Sequence, residues 1–207
     1  VLDADFFRRW LTAAAAAVDR EAERLTALDS PIGDADHGSN LQRGFAAVVA
    51  ALEKEEPPTP GAVLTLAGRQ LISTVGGASG PLYGTLLRRT GKALGNDAAE
   101  VTGEQLRDAL RTGVEAVRTL GGAAPGDKTM VDALVPAVDA LGESFAAAAA
   151  AAERGAEETT GLQARKGRAS YLGERSIGHR DPGATSAALL VAALAEAAGA
   201  RAEAADV

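Results

Sequence analysis

Apolar residues recur at helical spacing along almost the whole chain, and segments that alternate Val, Ile, Tyr or Phe with polar residues are nearly absent. Such a chain has no sheet face to bury, so it must pack helix against helix. The expected fold is all-α, a single domain over residues 1–207 with about eight helices. The first runs from about Asp3 to Leu28 and the second from about Gly38 to Lys54. Pro57 and Pro58 break the chain, and Thr59-Pro60 reads as an N-cap with proline at the first position of a helix reaching about Val75. Gly80-Pro81 opens a fourth helix that stops at Gly95. Thr102 with Gln105 makes a capping-box pattern for a fifth, ending near Gly121. A sixth runs from near Thr129 to Gly142, and Ser144 caps a seventh that extends towards Lys166. After a long irregular loop, Asp181-Pro182 opens the eighth.

Helices joined by short loops run antiparallel, so alternate loops share one end of the bundle. One set is bland: Glu53–Thr59, Gly95–Val101 and Leu141–Ser144. The other holds the unusual residues: the Asp/His loop after Leu28, Val75–Pro81, Gly121–Thr129 and Gly167–Gly183. Four separate segments agree on one face, which turn chemistry alone does not require.

On that face Asp29, Asp34 and Asp36 crowd within eight residues. Pro31, Gly33 and Gly38 break the helix there, so the acids are expected on a loop, where they repel one another unless a cation sits among them. All-oxygen ligation suits Mg²⁺ or Ca²⁺. Each unusual loop leads into a helix start, whose free N–H groups and dipole favour an anion, with Ser39, Ser79 and Thr129 adding hydroxyls. A nucleotide polyphosphate with Mg²⁺ fits both features. The bland counterpart is a solvated acidic loop capping a helix. His37 reads equally as a helix-start packing residue or a phosphate contact. Gly121–Thr129 resembles a P-loop but fails it, because Asp127 intrudes before Lys128 and no strand precedes it. Arg165, Lys166, Arg168, Arg175 and Arg180 form either a solvated face or a neutralising one, and Met130 is core or the soft wall of a base site. Trp10, Phe6 and Phe7 are expected in the core, and Tyr171 as a loop anchor.

A net charge of −7 argues against a general nucleic-acid-binding surface, and the lack of cysteine removes disulfides and thiolate zinc sites. No run reads as membrane-spanning and no signal peptide is visible, so a cytoplasmic protein is expected.

Five segments together resemble the nucleotide-binding L subunits of dihydroxyacetone kinases: Ile32–Gly38, Gly77–Gly80, Pro125–Met130, Gly167–His179 and Asp181–Thr185. The resemblance covers essentially the whole chain. It implies an antiparallel eight-helix barrel with the nucleotide at one end. It implies two Mg²⁺ ions on Asp29, Asp34 and Asp36, and ADP or ATP contacted by His37, Gly38, Ser39, Asn40, Ala78 and Ser79. Gly121 or Gly122, Thr129 and Met130 would line the nucleotide pocket, completed by Arg168, Asp181, Pro182 and Gly183. Ala35 stands where the family usually has a second glycine. No protein nucleophile is assigned. The implied partners are a K subunit, which holds dihydroxyacetone covalently on a histidine, and a phosphohistidine carrier (the M subunit) that recharges bound ADP. Two other readings stay open: the same fold serving another acceptor, such as erythrulose or a fatty acid, or a non-catalytic nucleotide-sensing module.

Overall fold

The structure, a computed structural model, describes residues 1–205. Its helices are α1 (Ala4–Asp29), α2 (His37–Glu55), α3 (Pro60–Thr74), α4 (Ser79–Leu94), α5 (Gly103–Gly121), α6 (Val131–Ala140), α7 (Phe145–Glu158) and α8 (Pro182–Ala205). Short 3-10 segments cover Thr159–Gly161 and Arg168–Ser176. Each helix packs against the next in sequence, and α8 returns to α1, so the neighbours form a closed cycle. The expectation of no sheet needs one small correction: β1 (Leu2–Asp3) pairs antiparallel with β2 (Glu100–Val101). This clip ties the start of the chain to the α4–α5 connection.

The cap signals work as local chemistry dictates. Thr59 Oγ1 accepts from the Ala62 N–H at 3.3 Å, ahead of Pro60. Thr102 and Gln105 form a reciprocal capping box at 3.1 and 2.8 Å. Ser144 Oγ accepts from the Ala147 N–H at 2.9 Å. Two boundaries differ from the sequence expectation. Helix α6 is shorter, because Thr129 and Met130 belong to the turn that enters it. Helix α7 stops at Glu158, well before Lys166. Its end is set from outside: the Lys128 ammonium takes the carbonyls of Thr159 and Leu162, and the buried Thr159 hydroxyl takes that of Ala156.

One apolar core fills the helix interior. Trp10, Phe6 and Phe7 are in it, as expected, and Trp10 Nε1 donates to the Leu190 carbonyl at 2.9 Å, fastening α1 to α8. Alanine and glycine let the helices approach closely. Helix α8 corrects the expectation about membrane spans: Pro182–Gly199 is long and apolar enough to cross a membrane by length and composition. Most of that stretch is instead buried in the protein, where Ala184, Ala187, Leu190 and Leu194 pack into the core.

A Cβ added to Gly61 would overlap the Gly95 carbonyl oxygen, where α3 meets the end of α4. Gly61→Ala should therefore destabilise the fold by ~1–3 kcal/mol through overpacking, read as a lower urea midpoint at unchanged slope.

Candidate functional site

All four unusual connections converge on one cavity of about 330 Å³. The α1–α2 connection contributes Asp29, Asp34, Asp36 and Asn40, and the α3–α4 connection contributes Gly76, Gly77, Ala78 and Ser79. Gly121, Thr129 and Met130 come from the α5–α6 side, and Arg168, Asp181, Pro182 and Gly183 from the α7–α8 side.

The carboxylates do cluster. One oxygen from each of Asp29, Asp34 and Asp36 lies within 4.8 Å of the other two. Asp29 is not on the loop, as the sequence suggested, but is the buried last residue of α1. Its Oδ2 accepts from the backbone N–H of Asp36 (3.0 Å) and His37 (3.3 Å), folding the loop back over the helix end. Gly33 lies so close that a Cβ there would overlap the Asp29 carboxylate. Burial, then the neighbouring Asp34, raise the Asp36 carboxyl above the usual range. Arg168 Nε meets Asp34 Oδ2 at 3.1 Å, the one ion pair to this cluster among the described residues. The bland reading, an acidic loop capping a helix, holds for Asp29, which takes N–H groups at the start of α2, but leaves Asp36, which makes no cap hydrogen bond, without a role. Hard, crowded, hydrogen-bond-oriented carboxylates fit a divalent cation such as Mg²⁺.

The helix starts differ by end. Those away from the cavity, α3, α5 and α7, are closed by Thr59, Thr102 and Ser144. Those at the cavity, α2, α4 and α6, receive no cap hydrogen bond from the side chain of the N-cap residue itself. At α2 the first N–H, that of His37, goes to Asp29 Oδ2, and at α6 the first, that of Val131, goes to Thr129 Oγ1 at 3.1 Å; the start of α4 and the next N–H groups of α2 are left for an anion. Helix α8 is the exception, capped by Asp181, whose Oδ2 accepts from the Ala184 N–H at 2.7 Å.

His37 lines the cavity with both ring nitrogens engaged: Nδ1 lies 3.1 Å from Ser79 Oγ and Nε2 2.8 Å from Ser186 Oγ. Burial lowers its pKa despite the Asp29 charge, so the ring is neutral at pH 7. Buried Tyr83 continues the chain through Ser186 and the Gly183 carbonyl. Gly38, Ser39 and Gly122 do not line the cavity. A Cβ on Gly38 would overlap the Ala22 carbonyl, so this glycine serves α1–α2 contact, whereas Gly76 and Gly77 face open space. Met130 is both buried and part of the wall, so its two readings hold together. Tyr171 is no anchor, being 87% exposed. Arg180 is taken up by the fold, bonded to Thr185 Oγ1 and Glu153 at 2.9 Å each.

Sequence reasoning missed the apolar wall of Ile32, Leu82, Val117 and Val131, which look like ordinary core positions. It also missed the role of Lys128. That ammonium is 2% exposed and donates to the carbonyls of Thr159, Leu162, Ser176 and His179. Burial lowers its pKa and Asp181 opposes the shift; the four acceptors favour the charged form.

A carboxylate cluster and glycine-rich helix starts around one mainly apolar cavity fit a divalent cation and a polyphosphate on a helical protein. The chain belongs to the DAK2 domain family, which matches residues 31–196. Over 199 residues it is 47% identical to the ADP-binding subunit DhaL of the PEP-dependent dihydroxyacetone kinase of Escherichia coli (strain K12), covering 91% of this chain and 94% of that subunit. It is 41% identical over 188 residues to L-erythrulose 1-kinase of Mycolicibacterium smegmatis, covering 86% of this chain but 33% of that protein. The crystal structure of C. freundii dihydroxyacetone kinase in complex with AMP-PNP and Mg²⁺ superposes with a TM-score of 0.74 at 30% identity, over 91% of this chain and 33% of that one.

Two predictions come from the site's geometry. Ala35 has φ +58°, a left-handed conformation that strains any side chain. Ala35→Gly should stabilise the protein by about 0.5–1 kcal/mol, measured by denaturant melts, the relief of strain exceeding the entropy glycine adds to the unfolded chain. Burial at the back of the cavity pushes the Asp181 carboxyl up to about 7 from the ordinary 3.8. The folded state then holds this proton more tightly than the unfolded state, so the stabilisation is complete below pH 3.8 and is lost as pH rises towards about 7. Asp181→Asn keeps the cap and should flatten that part of the stability–pH curve in thermal melts.

Proposed function

We propose that this chain is the ADP/ATP- and Mg²⁺-binding subunit of a dihydroxyacetone kinase. It takes a phosphoryl group from a phosphohistidine carrier (the M subunit) through bound ADP and passes it to dihydroxyacetone held on a separate K subunit. The observation that carries this reading is the joint placement of the carboxylate cluster, the glycine-rich Gly76–Ser79 connection and the uncapped start of α4 on a single cavity. The curated relative covered almost end to end is named for ADP binding, and that supports the nucleotide. Further parts of the proposal are two metal ions, a role in glycerol metabolism in the cytoplasm, and one domain whose closed cycle of helices is an antiparallel barrel.

In this reading Asp29, Asp34 and Asp36 hold Mg²⁺, which supplies charge neutralisation on phosphate oxygens. The N–H groups at the starts of α2 and α4, with Ser79, orient the phosphates. Neutral His37 holds the Ser79 hydroxyl in place, and Asn40 and Ala78 border the same region. Met130, Leu82 and Val117 offer the apolar wall against which a base packs and from which water is excluded. Gly121, Thr129 and the Asp181–Gly183 segment complete that wall, with Gly38, Ser39 and Gly122 outside the lining. Arg168 balances charge at the rim, paired with Asp34 when no phosphate competes.

The test is phosphoryl transfer with purified K subunit and phosphorylated carrier, set against ATP alone and against erythrulose as acceptor. Transfer from the carrier to dihydroxyacetone is expected; transfer to erythrulose alone would reassign the acceptor, and no transfer with any donor would leave a sensing module. Asp34→Asn or Asp36→Asn should lower transfer by about a hundredfold or more, since a few kcal/mol of charge stabilisation is lost, while the helical circular dichroism stays unchanged. Equal rates for variant and parent at limiting Mg²⁺ would remove these residues from the metal site.

A further inference from the structure

The chain from Leu162 to His179 leaves the helical framework and returns to it at nearly the same place. Its neck is closed by Gly178 N–H to Thr160 O (2.7 Å), Arg165 N–H to Asp127 O (3.1 Å) and Ala164 N–H to Ser176 Oγ (2.9 Å). Lys128 sits in the middle of that neck. Its ammonium takes Thr159 O at 2.7 Å and Leu162 O at 3.0 Å on the way out, and Ser176 O at 3.0 Å and His179 O on the way back. An ammonium has three donors, so these acceptors saturate it, and nothing of it is left for a phosphate.

Beyond the neck the excursion is lightly held. Gly167 and Gly173 adopt φ +67° and +58°, and Tyr171 at its tip is 87% exposed. Yet this excursion carries Arg168, which meets Asp34 of the carboxylate cluster. Lys128 is also flanked by Thr129 and the cavity wall, and its own backbone is left-handed at φ +64°. One buried charge thus joins the wall of the cavity to the rim that bears its arginine.

We propose that Lys128 is a positioning residue for phosphoryl transfer: by pinning both ends of the Leu162–His179 excursion to the cavity wall, it fixes Arg168 at the carboxylate cluster. The inference rests on the kinase-subunit reading for its kinetic consequence, but the clamp itself is testable without it. Lys128→Met, Arg168→Ala and the double variant would be compared with the parent by hydrogen exchange, by calorimetric Mg-ADP binding, and by kcat and KM for transfer. In Lys128→Met, protection should fall across residues 162–179 and persist in α1 to α5. The kcat should drop by about tenfold to a hundredfold, as a misplaced charged group costs, with Mg-ADP affinity changed less than about threefold. Adding Arg168→Ala to that background should cost little more, because the two act through one interaction.

Additive losses in the double variant, or protection lost uniformly along the chain, would overturn the proposal. Should Lys128→Met fail to fold, Lys128→Arg keeps the charge but its planar fork cannot reach four converging carbonyls. That variant should show the same confined loss of protection, and parental exchange together with parental kcat would equally overturn the clamp. Confined loss of protection without any transfer activity in the parent would preserve the clamp and discard only the kinase reading.

Discussion

Repulsion among three carboxylates at the end of α1 is the constraint around which the loop face is arranged. Their ligand atoms lie within 4.8 Å of one another, and the first acid is buried. Such an arrangement persists only where backbone donors and cations offset the charge. Asp29 receives two N–H groups from the start of α2, and Asp34 receives Arg168 from a segment more than a hundred residues later in the chain. The loop pays for this with a glycine that leaves room for the Asp29 carboxylate and with a strained Ala35. A bound divalent cation would complete the same neutralisation.

The two ends of the molecule answer the helix-end problem differently. Away from the cavity, threonine and serine caps satisfy the orphan N–H groups, as stability alone favours. At the cavity α4 begins without a side-chain cap, while the first N–H groups of α2 and α6 go to Asp29 and Thr129, residues that also line the cavity. Missing caps cost about 0.5–2 kcal/mol each in a helix that has no other partner. An open helix start on the cavity is consistent with donors reserved for a ligand, and it links local helix chemistry directly to function. Behind them the His37–Ser79–Ser186–Tyr83 chain spans α2, α4 and α8, so the helix starts around the cavity are mutually registered.

Rigidity is distributed unevenly around this face. Glycines such as Gly38, Gly61 and Gly155 sit where helices touch, and a side chain there would collide with a neighbouring carbonyl. Gly76, Gly77 and Gly167 have open space around them and lie on the cavity rim. The rim is therefore where conformational change is cheapest, and the buried ammonium of Lys128 limits that freedom on the α7–α8 side.

Much of the architecture was legible in the sequence because it is written in short-range chemistry. Helical periodicity, the Thr102–Gln105 box, Thr59-Pro60, Ser144 and Asp181-Pro182 act within one turn, and each cap is found where it was read. The alternation of bland and unusual loops placed four segments on one face by connectivity alone, and all four line the cavity. What the sequence could not determine depends on atoms distant along the chain. The end of α7 and the course of the following segment are decided by Lys128, whose acceptors lie 31 to 51 residues away. Whether a glycine serves packing or a ligand depends on whether another helix occupies the space where its Cβ would be. His37, with neither alternative excluded by its neighbours in sequence, became a buried neutral connector only when Ser79 and Ser186 closed on its two nitrogens. Local hydrogen bonding and periodicity thus specified the helices and the face they present, whereas the occupants of shared space, which only tertiary packing brings together, specified the site.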